Sequence, residues 1–256
     1  MILQYASDLH LEFPTNRRWL DEHPIVPKGD VLVLAGDTHP LGKDFQRLKL
    51  WDYLSDNFRE TYVLPGNHEY YQGYDVATGL AETQEPIRKN VWLVNNCVVD
   101  QPEVRLIFTT LWSRIEKNVA GVLLGMNDFY RIRYQGKLID VAHYHQLHEA
   151  ALRFLTHALE AAPQKPQVVV THHLPSEQCN AEEFRGSALN EAFCVDLTDL
   201  IEKSAVEAWI YGHSHRNVPE FAINGTQMLT NQLGYVQLGE HATFRRDAVL
   251  KFAGQD

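Results

Sequence analysis

The chain has 256 residues, of which 45% are hydrophobic and 22% are charged, a globular composition that excludes an intrinsically disordered protein. Its 33 acidic residues outnumber its 23 Lys and Arg residues and give a formal net charge of −10. This balance argues against binding of duplex nucleic acid, which needs clustered Lys and Arg. It leaves room for a small anionic substrate, because bound metal ions can reverse the local charge.

Short runs of large apolar residues recur along the chain and predict buried strands. They cover residues 2–6, 31–35, 61–64, 91–94, 105–109, 168–170 and 208–211. Helices are predicted over residues 43–58 and from Asp140 to about residue 162, where Pro163 stops the pattern. The alternation predicts an α/β fold. Without a linker-like stretch, residues 1–256 are predicted to form a single domain, with an irregular insertion at about 112–138 that lies over a site.

The sequence also gives expectations about the compartment. The longest apolar stretch, near residues 119–126, is far too short to span a membrane. The chain starts without a basic segment followed by a hydrophobic one, so we expect no signal peptide. Three scattered cysteines without a CxxC pair are typical of a reducing compartment: Cys97, Cys179 and Cys194. Together these features predict a cytoplasmic protein.

Metal-type side chains follow five of the predicted strands directly. The segments are DLH (8–10), GD (36–37), GNHE (66–69), THH (171–173) and GHSH (212–215). Because the carboxyl ends of parallel strands share one edge of a sheet, these side chains are expected to converge. Asp8 and His10 are two residues apart, as are His213 and His215, so each pair can face one ion. A carboxylate such as Asp37 can bridge two cations, and ligands without thiolate suit Mn, Fe, Zn or Co.

In order and in strand context, these motifs resemble those of the calcineurin-like metallophosphoesterase superfamily. Residues 231–235, NQLGY, are similar to an Asn-Pro-x-Gly-Tyr stretch found in many members, with Gln232 in place of the usual Pro. The length of the chain resembles that of stand-alone bacterial phosphoesterases. The resemblance implies an αββα sandwich of two packed mixed β-sheets flanked by helices.

The resemblance also implies a role for each motif residue. One metal ion would be held by Asp8, His10 and His215. The other would be held by Asn67, His172 and His213. Asp37 would bridge both ions, and His68 would lie beside the substrate phosphate and donate a hydrogen bond or a proton. Glu69 would support the ligands rather than bind metal.

These residues predict a binuclear metal-dependent phosphoesterase, either a phosphodiesterase or a phosphatase. In this mechanism a hydroxide that bridges two divalent or trivalent ions, with Mn, Fe and Zn as the main choices, attacks a small phosphoester. Two alternatives stay open: a protein-binding scaffold on the same fold, and a nuclease acting on short oligonucleotides. The full ligand set together with His68 favours the enzyme over the scaffold, and the acidic charge disfavours duplex binding.

Other residues have two interpretations each. His173 and Arg131 are candidate substrate contacts, with a loop filler and a surface residue as the alternatives. Aromatic residues of the insertion either stack on the leaving group, which would favour diesters, or simply pack: Trp112, Phe129, Tyr130 and Tyr134. His39 is expected to be a loop residue rather than a ligand. Four histidines of the second predicted helix are expected to lie on its solvated face: His143, His145, His148 and His157.

Overall fold

The computed structural model describes residues 1–160 and 164–252. Its strands, in chain order, are β1 (Ile2–Ala6), β2 (Val31–Ala35), β3 (Glu60–Leu64), β4 (Thr83–Arg88), β5 (Val91–Asn95), β6 (Cys97–Asp100), β7 (Arg105–Thr109), β8 (Arg133–Tyr134), β9 (Lys137–Leu138), β10 (Gln167–Thr171), β11 (Ala208–Tyr211), β12 (Phe221–Ile223), β13 (Thr226–Thr230) and β14 (Val249–Lys251). Every predicted strand is present, with bounds that agree to within one residue.

The α-helices are α1 (Pro14–Glu22), α2 (Lys49–Asn57), α3 (Val119–Gly125), α4 (Asp128–Arg131), α5 (Val141–Glu160), α6 (Asn190–Phe193) and α7 (Thr198–Lys203). Short 3-10 helices cover Phe45–Arg47, His68–Tyr70, Val76–Leu80, Glu177–Cys179, Glu182–Phe184, Val236–Leu238 and Glu240–Thr243. The predicted helix over 43–58 was wrong as a single element, because Leu48 adopts an extended backbone between a 3-10 turn and α2. The predicted end of α5 near residue 162 lies outside the described residues.

Two six-stranded sheets carry the fold. Their strand orders are β14-β1-β2-β3-β5-β4 and β12-β13-β11-β10-β7-β6. In each sheet the four central strands are parallel and both edge strands are antiparallel. The carboxyl ends of the central strands therefore lie along one edge of each sheet, where open α/β sheets bind ligands.

Alternation along the strands builds the layers. In β2, Val31, Val33 and Ala35 point into the cluster between the sheets, whereas Leu32 and Leu34 point to the helix side. The inner cluster also contains Phe108 of the second sheet. The outer face of the second sheet packs against α5 and α7. Two mixed sheets flanked by helices confirm the predicted αββα sandwich.

The segment 112–138 contains two short helices, α3 and α4, and the two-residue ladder of β8 and β9. Trp112, Phe129 and Tyr134 are buried in the helix-side cluster of the first sheet. The segment is therefore anchored by its aromatic side chains, and its residues 125–127 reach the edge of the candidate site. Within the described ranges, no helix is both long and apolar enough to cross a membrane.

Candidate active site

Five loops at the carboxyl ends of central strands bring the predicted ligands together. Asp8, His10, Asp37 and His215 each place a ligand atom within 4.8 Å of the others, and Asp37 forms a second such group with His172 and His213. The five loops follow β1, β2, β3, β10 and β11, as the motif positions require. Two donor groups therefore share one carboxylate, Asp37, and each of them could hold a metal ion.

Backbone strain is concentrated in these loops. Five of the seven predicted ligands have a positive φ: Asp8 (55°), His10 (47°), Asp37 (53°), His213 (77°) and His215 (54°). Such conformations cost of order 1–3 kcal/mol each and are kept where the surroundings enforce them, often at functional sites. Gly36 lets the ring of His172 pack directly against the backbone of the loop after β2, because a Cβ at this position would collide with that ring. The fold thus stores strain where it positions the ligands.

The first donor group fits a cation. The Nε2 atoms of His10 and His215 face each other at 2.8 Å. The Nδ1 of His10 lies 3.1 Å from Glu12, and that of His215 lies 2.9 Å from Glu240. Because each Nδ1 donates its proton to a carboxylate, both Nε2 atoms present lone pairs to each other. An ion between them would turn this repulsion into coordination.

The second donor group shows the same pattern. His172 Nδ1 donates to the carbonyl oxygen of Ala35 at 2.9 Å, so its Nε2 is an acceptor. This atom faces Asn67 Oδ1 at 3.1 Å and Asp37 Oδ1 at 3.4 Å. The amide nitrogen of Asn67 donates to Asp128 at 2.9 Å, which turns its oxygen toward His172. Burial lowers the pKa of His172, but Asp37 outweighs this effect and raises it to about 9 in the metal-free protein. A divalent cation would replace the proton of Nε2 and leave three acceptor atoms to bind it.

Several carboxylates that orient the ligands were missed from the sequence. Glu12 accepts from the Nδ1 atoms of both His10 and His68, the latter at 2.8 Å. Burial raises the pKa of Glu12, but the bonds from these two rings outweigh it and hold the pKa at about 2. Burial raises the pKa of Asp128, the first residue of α4. Its carboxylate accepts a hydrogen bond from the side-chain amide of Asn67, which lies in the loop after β3. Of these carboxylates, only Glu12 could have been recognised from its place in the sequence, since it continues the two-residue spacing of Asp8 and His10.

Glu69 ties two ligand loops together. Its carboxylate accepts from the backbone N–H groups of Asp37, Thr38, His39 and Gly66 at 3.0, 2.8, 3.3 and 2.7 Å. The side chain is fully buried and belongs to none of the three donor groups among the described residues. Its place is the one expected of a residue that supports the ligands. His39 bonds Pro40 through its ring and also stays outside the donor groups.

Gln232, at the position where the family usually has Pro, organises the loop that follows β11. Its side-chain oxygen accepts from the backbone N–H of His215 at 2.6 Å. Its amide nitrogen lies within hydrogen-bond distance of Ser214 Oγ, Arg216 O and Thr230 Oγ1. The side chain is fully buried. A single amide therefore fixes a loop that carries two predicted ligands.

Replacing Gln232 by Ala is expected to weaken metal binding by about 10-fold and to lower the free energy of unfolding by about 2 kcal/mol, because buried polar groups lose their partner. Calorimetric Mn²⁺ titration and urea unfolding measure the two effects. Gln227→Ala, on the exposed face of β13, is the matched control. An unchanged metal affinity in Gln232→Ala would show that the loop holds its shape without this amide.

A cavity of about 320 Å³ opens onto the donor groups. Its lining residues near the donor groups are Asp37, Asn67, His68, His213 and His215. Its outer wall is formed by Tyr71, Met126, Asn127, Asn180, Phe184, Ser187, Leu189, Asn190, Phe193 and Tyr235. The outer wall is mostly apolar and aromatic, so the site joins a polar metal-binding floor to a pocket for an organic group.

The structure does not bring His173 and Arg131 to this cavity. His173 is fully buried, and its ring lies 3.1 Å from the hydroxyl of Tyr144 and 3.3 Å from the carbonyl of Thr110. Arg131 lies outside, with its guanidinium 5.8 Å from the ring centre of Tyr71. Tyr71 lines the cavity and stands between Arg131 and the interior.

Two further expectations need correction. None of the four aromatic residues of the insertion lines the cavity, so the stacking interpretation is wrong. Trp112, Phe129 and Tyr134 are buried in the core, as the packing interpretation has it. Tyr130 is 58% exposed. The solvated-face prediction was wrong for His148, which is 3% exposed.

The reason is the contact between α5 and the start of the insertion. His148 Nδ1 lies 3.3 Å from the carbonyl oxygens of Leu111 and Trp112, and His145 Nε2 lies 2.9 Å from that of Ile115. His157 is exposed, as expected, and His143 is half-buried beside Tyr134. The two inner histidines thus anchor the insertion on the helix.

Comparisons with known proteins agree with this geometry. The chain is 28% identical to the uncharacterized protein L509 of Acanthamoeba polyphaga mimivirus, with 91% of each chain covered. It also resembles the crystal structure of phosphopantetheinyl hydrolase (PptH) from Mycobacterium tuberculosis, with a TM-score of 0.68 at 17% identity over 92% of this chain and 90% of that one. A family model described as calcineurin-like phosphoesterase matches residues 5–217. The chain belongs to the calcineurin-like phosphoesterase family.

Proposed function

We propose that the protein is a binuclear metal-dependent hydrolase of a small phosphoester. The observation that carries this proposal is the convergence of acceptor atoms in two groups that share Asp37, at the floor of a cavity lined by His68. Bound cations of the Mn, Fe or Zn type supply Lewis acidity at such a site: they neutralise phosphate oxygens and acidify a water molecule for attack on phosphorus. A pure binding scaffold has no chemical need for this set of donors.

The chain's own residues would orient the ligands and the substrate. Glu12 and Glu240 hold the rings of His10 and His215 with their Nε2 atoms facing inward. Asp37 would hold both cations, and it accepts from the backbone N–H of His68 at 2.9 Å. That bond fixes the backbone of His68 next to the metal-binding floor, and the bond between Nδ1 and Glu12 orients its ring.

His68 is the proposed proton donor to the leaving oxygen. In the metal-free protein, burial lowers its pKa, but the carboxylates of Asp37 and Glu12 outweigh this effect and raise the pKa to about 9. Its Nδ1 is held by Glu12, and its Nε2 lies 3.5 Å from the hydroxyl of Tyr235, which also lines the cavity. Nε2 is therefore the ring atom that would face the substrate. A proton at Nε2 can pass to the departing alkoxide, as general acid catalysis requires.

A phosphodiester is the favoured substrate class. Neither Lys nor Arg occurs among the described residues that line the cavity, so a monoester dianion would have only the cations and His68 to balance its extra charge. The apolar outer wall offers room for an organic ester group. The net charge of −10 also supports a small substrate rather than duplex nucleic acid. All three cysteines are free, which supports a cytoplasmic location for the proposed enzyme.

Removal of metal is expected to abolish phosphoesterase activity, and added Mn²⁺ is expected to restore it, because the chain supplies no other means of activating water. Turnover of bis(p-nitrophenyl) phosphate by chelator-treated and reloaded protein, with elemental analysis of both samples, makes the comparison. Full turnover in a sample that contains no metal would overturn the proposed mechanism.

The same assay compares substrate classes. With metal and pH fixed, kcat/KM for bis(p-nitrophenyl) phosphate is expected to exceed that for p-nitrophenyl phosphate, for the charge reason given above. A monoester preference of about 100-fold, worth about 2.7 kcal/mol in the transition state, would overturn the diester assignment and leave the metal-dependent hydrolase intact.

A further inference from the structure

The loop after β13 carries Tyr235 to the first donor group. The backbone N–H of Gly234 donates to the carbonyl oxygen of Asp8 at 3.0 Å. The backbone N–H of Tyr235 donates to Oε2 of Glu240 at 2.7 Å. The same carboxylate oxygen lies 2.9 Å from Nδ1 of His215. The backbone of Tyr235 is therefore tied to loops that carry two of the predicted ligands.

The ring of Tyr235 is held by three other rings. Its centre lies 4.8 Å from that of His10, 4.4 Å from that of His215 and 5.2 Å from that of Phe13. The side chain is half-buried and lines the cavity. Packing thus fixes the ring, and its hydroxyl lies beside His68, where the outer wall of the cavity meets the metal-binding floor.

The hydroxyl of Tyr235 can turn to a substrate. It lies 3.5 Å from Nε2 of His68, at the outer limit of a hydrogen bond, so this contact commits neither group. Tyr71 differs: it lines the same cavity and stacks on His68 with ring centres 4.1 Å apart, but its hydroxyl donates to Asp128 at 2.6 Å. Of these two tyrosines, Tyr235 is the one whose hydroxyl is available.

The cavity needs such a donor. Neither Lys nor Arg occurs among the described residues that line it. The amide nitrogen of Asn67 already donates to Asp128 at 2.9 Å. Charge that develops on phosphate oxygens must therefore be met by the cations, by His68 and by neutral donors. A phenol is neutral at neutral pH and donates without adding charge.

The geometry assigns His68 and Tyr235 to different oxygens of the phosphate. Hydrogen bonds are about 2.7–3.2 Å long. Two donor atoms 3.5 Å apart that bonded one oxygen at this length would meet it at an acute angle and crowd each other. Two neighbouring oxygens of one phosphate accommodate both donors without this crowding. Since His68 is assigned to the leaving oxygen, Tyr235 faces a non-bridging one.

We propose that the hydroxyl of Tyr235 donates a hydrogen bond to a non-bridging oxygen of the phosphate and stabilises the charge that develops there in the transition state. The hydroxyl keeps its proton throughout, whereas His68 gives up a proton to the leaving group. The proposal rests on the phosphoesterase function above and deepens it, because it names a second catalytic residue for that reaction.

The variant Tyr235→Phe keeps the ring and its packing and removes only the hydroxyl. For Mn²⁺-loaded protein, kcat/KM for bis(p-nitrophenyl) phosphate is expected to fall by about 10- to 100-fold, the scale of one hydrogen bond to a charged group. Elemental analysis is expected to show unchanged metal content. Tyr130→Phe, an exposed position on α4 outside the cavity, is the matched control. Normal turnover in metal-replete Tyr235→Phe would overturn the proposal while the hydrolase function stands.

The leaving group shows which oxygen the hydroxyl contacts. The loss in Tyr235→Phe is expected to be equal for methyl p-nitrophenyl phosphate and for a dialkyl phosphate of similar size, because a non-bridging oxygen is the same in both. A much larger loss for the dialkyl ester would place the hydroxyl on the leaving oxygen and overturn the assignment.

A binding measurement separates this inference from the function on which it rests. Inorganic phosphate is titrated calorimetrically into the Mn²⁺-loaded protein, where no ester is hydrolysed. Its affinity is expected to fall by about 10-fold in Tyr235→Phe and to stay unchanged in Tyr130→Phe, while the affinity for Mn²⁺ itself is equal in all three proteins. An unchanged phosphate affinity would count against the hydroxyl. A weakened Mn²⁺ affinity would mean that Tyr235 acts on the ligands instead of the substrate.

Discussion

Substitution of Asp37 by Asn is expected to be among the most damaging single changes in the site. Its carboxylate belongs to both donor groups, with oxygens 3.7 Å from His10 Nε2 and 3.4 Å from His172 Nε2. Asparagine keeps the shape but removes the charge that both ions would share. Because a metal ion contributes several kcal/mol to a phosphoryl transition state, kcat/KM is expected to fall by about 10³-fold or more.

Elemental analysis and activity of the purified variant give the measurement, and circular dichroism checks that the fold is retained. Asp199→Asn is the matched control, since Asp199 is exposed on α7 and forms only a surface ion pair with Lys203. It is expected to keep full metal content and activity. Two bound ions and normal turnover in Asp37→Asn would show that this carboxylate does not bridge the two groups.

Seven of the eight central strands were predicted from the sequence, whereas the central strand β13 and the edge strands were not. Central strands such as β2 are buried on both faces, so their composition is continuously apolar. All four edge strands escaped prediction: β4, β6, β12 and β14. β4 illustrates the cause, because it is largely exposed, carries Pro86 and is interrupted by an irregularity next to that residue. An edge strand is stabilised more by hydrogen bonds to its neighbouring strand than by the apolar composition that prediction relies on.

The metal-type residues were predictable for a related reason. They sit directly after central strands, so a local pattern marks them, and the topology brings the strand ends together. Glu240 lies 25 residues beyond the His215 that it orients, and Asp128 lies 61 residues beyond Asn67. No local spacing marks such a pair, because each contact exists only once segments distant in the sequence have packed together. The carboxylates that orient a metal-ligating side chain are thus harder to predict from the sequence than the metal-ligating residue itself.

The cavity wall shows where composition misleads. The aromatic residues of the insertion suggested stacking on a leaving group. The structure instead buries Trp112 and Phe129 in the helix-side cluster of the first sheet. Large aromatic side chains contribute most when buried, so a segment without regular structure uses them as anchors. Of the four Phe and Tyr rings that line the cavity in the described part of the chain, Phe184 and Phe193 come from the segment after His173, and the other two are Tyr71 and Tyr235. That segment has short 3-10 and α-helical turns and no periodic pattern to mark its inner face.

Replacing His68 by Ala is expected to separate chemistry from metal binding. His68 lines the cavity and forms a donor group with His10 and Glu12, but it stands outside the two groups that share Asp37. The variant should therefore keep its metal content while kcat falls by about 10²–10⁴-fold, the usual effect of losing a general acid. His157→Ala, on the exposed face of α5, serves as the control and should match the unsubstituted protein in both measurements.

The dependence on the leaving group shows what His68 does. If it protonates the departing oxygen, the loss in His68→Ala should be much larger for an alkyl ester, whose alkoxide leaves poorly, than for a p-nitrophenyl ester, whose phenolate leaves without help. Steady-state kcat for methyl p-nitrophenyl phosphate and for a dialkyl phosphate of similar size gives the comparison. Equal losses for both substrates, with metal content intact, would mean that His68 stabilises charge on phosphate oxygens instead of transferring a proton, because that contribution does not depend on the leaving oxygen.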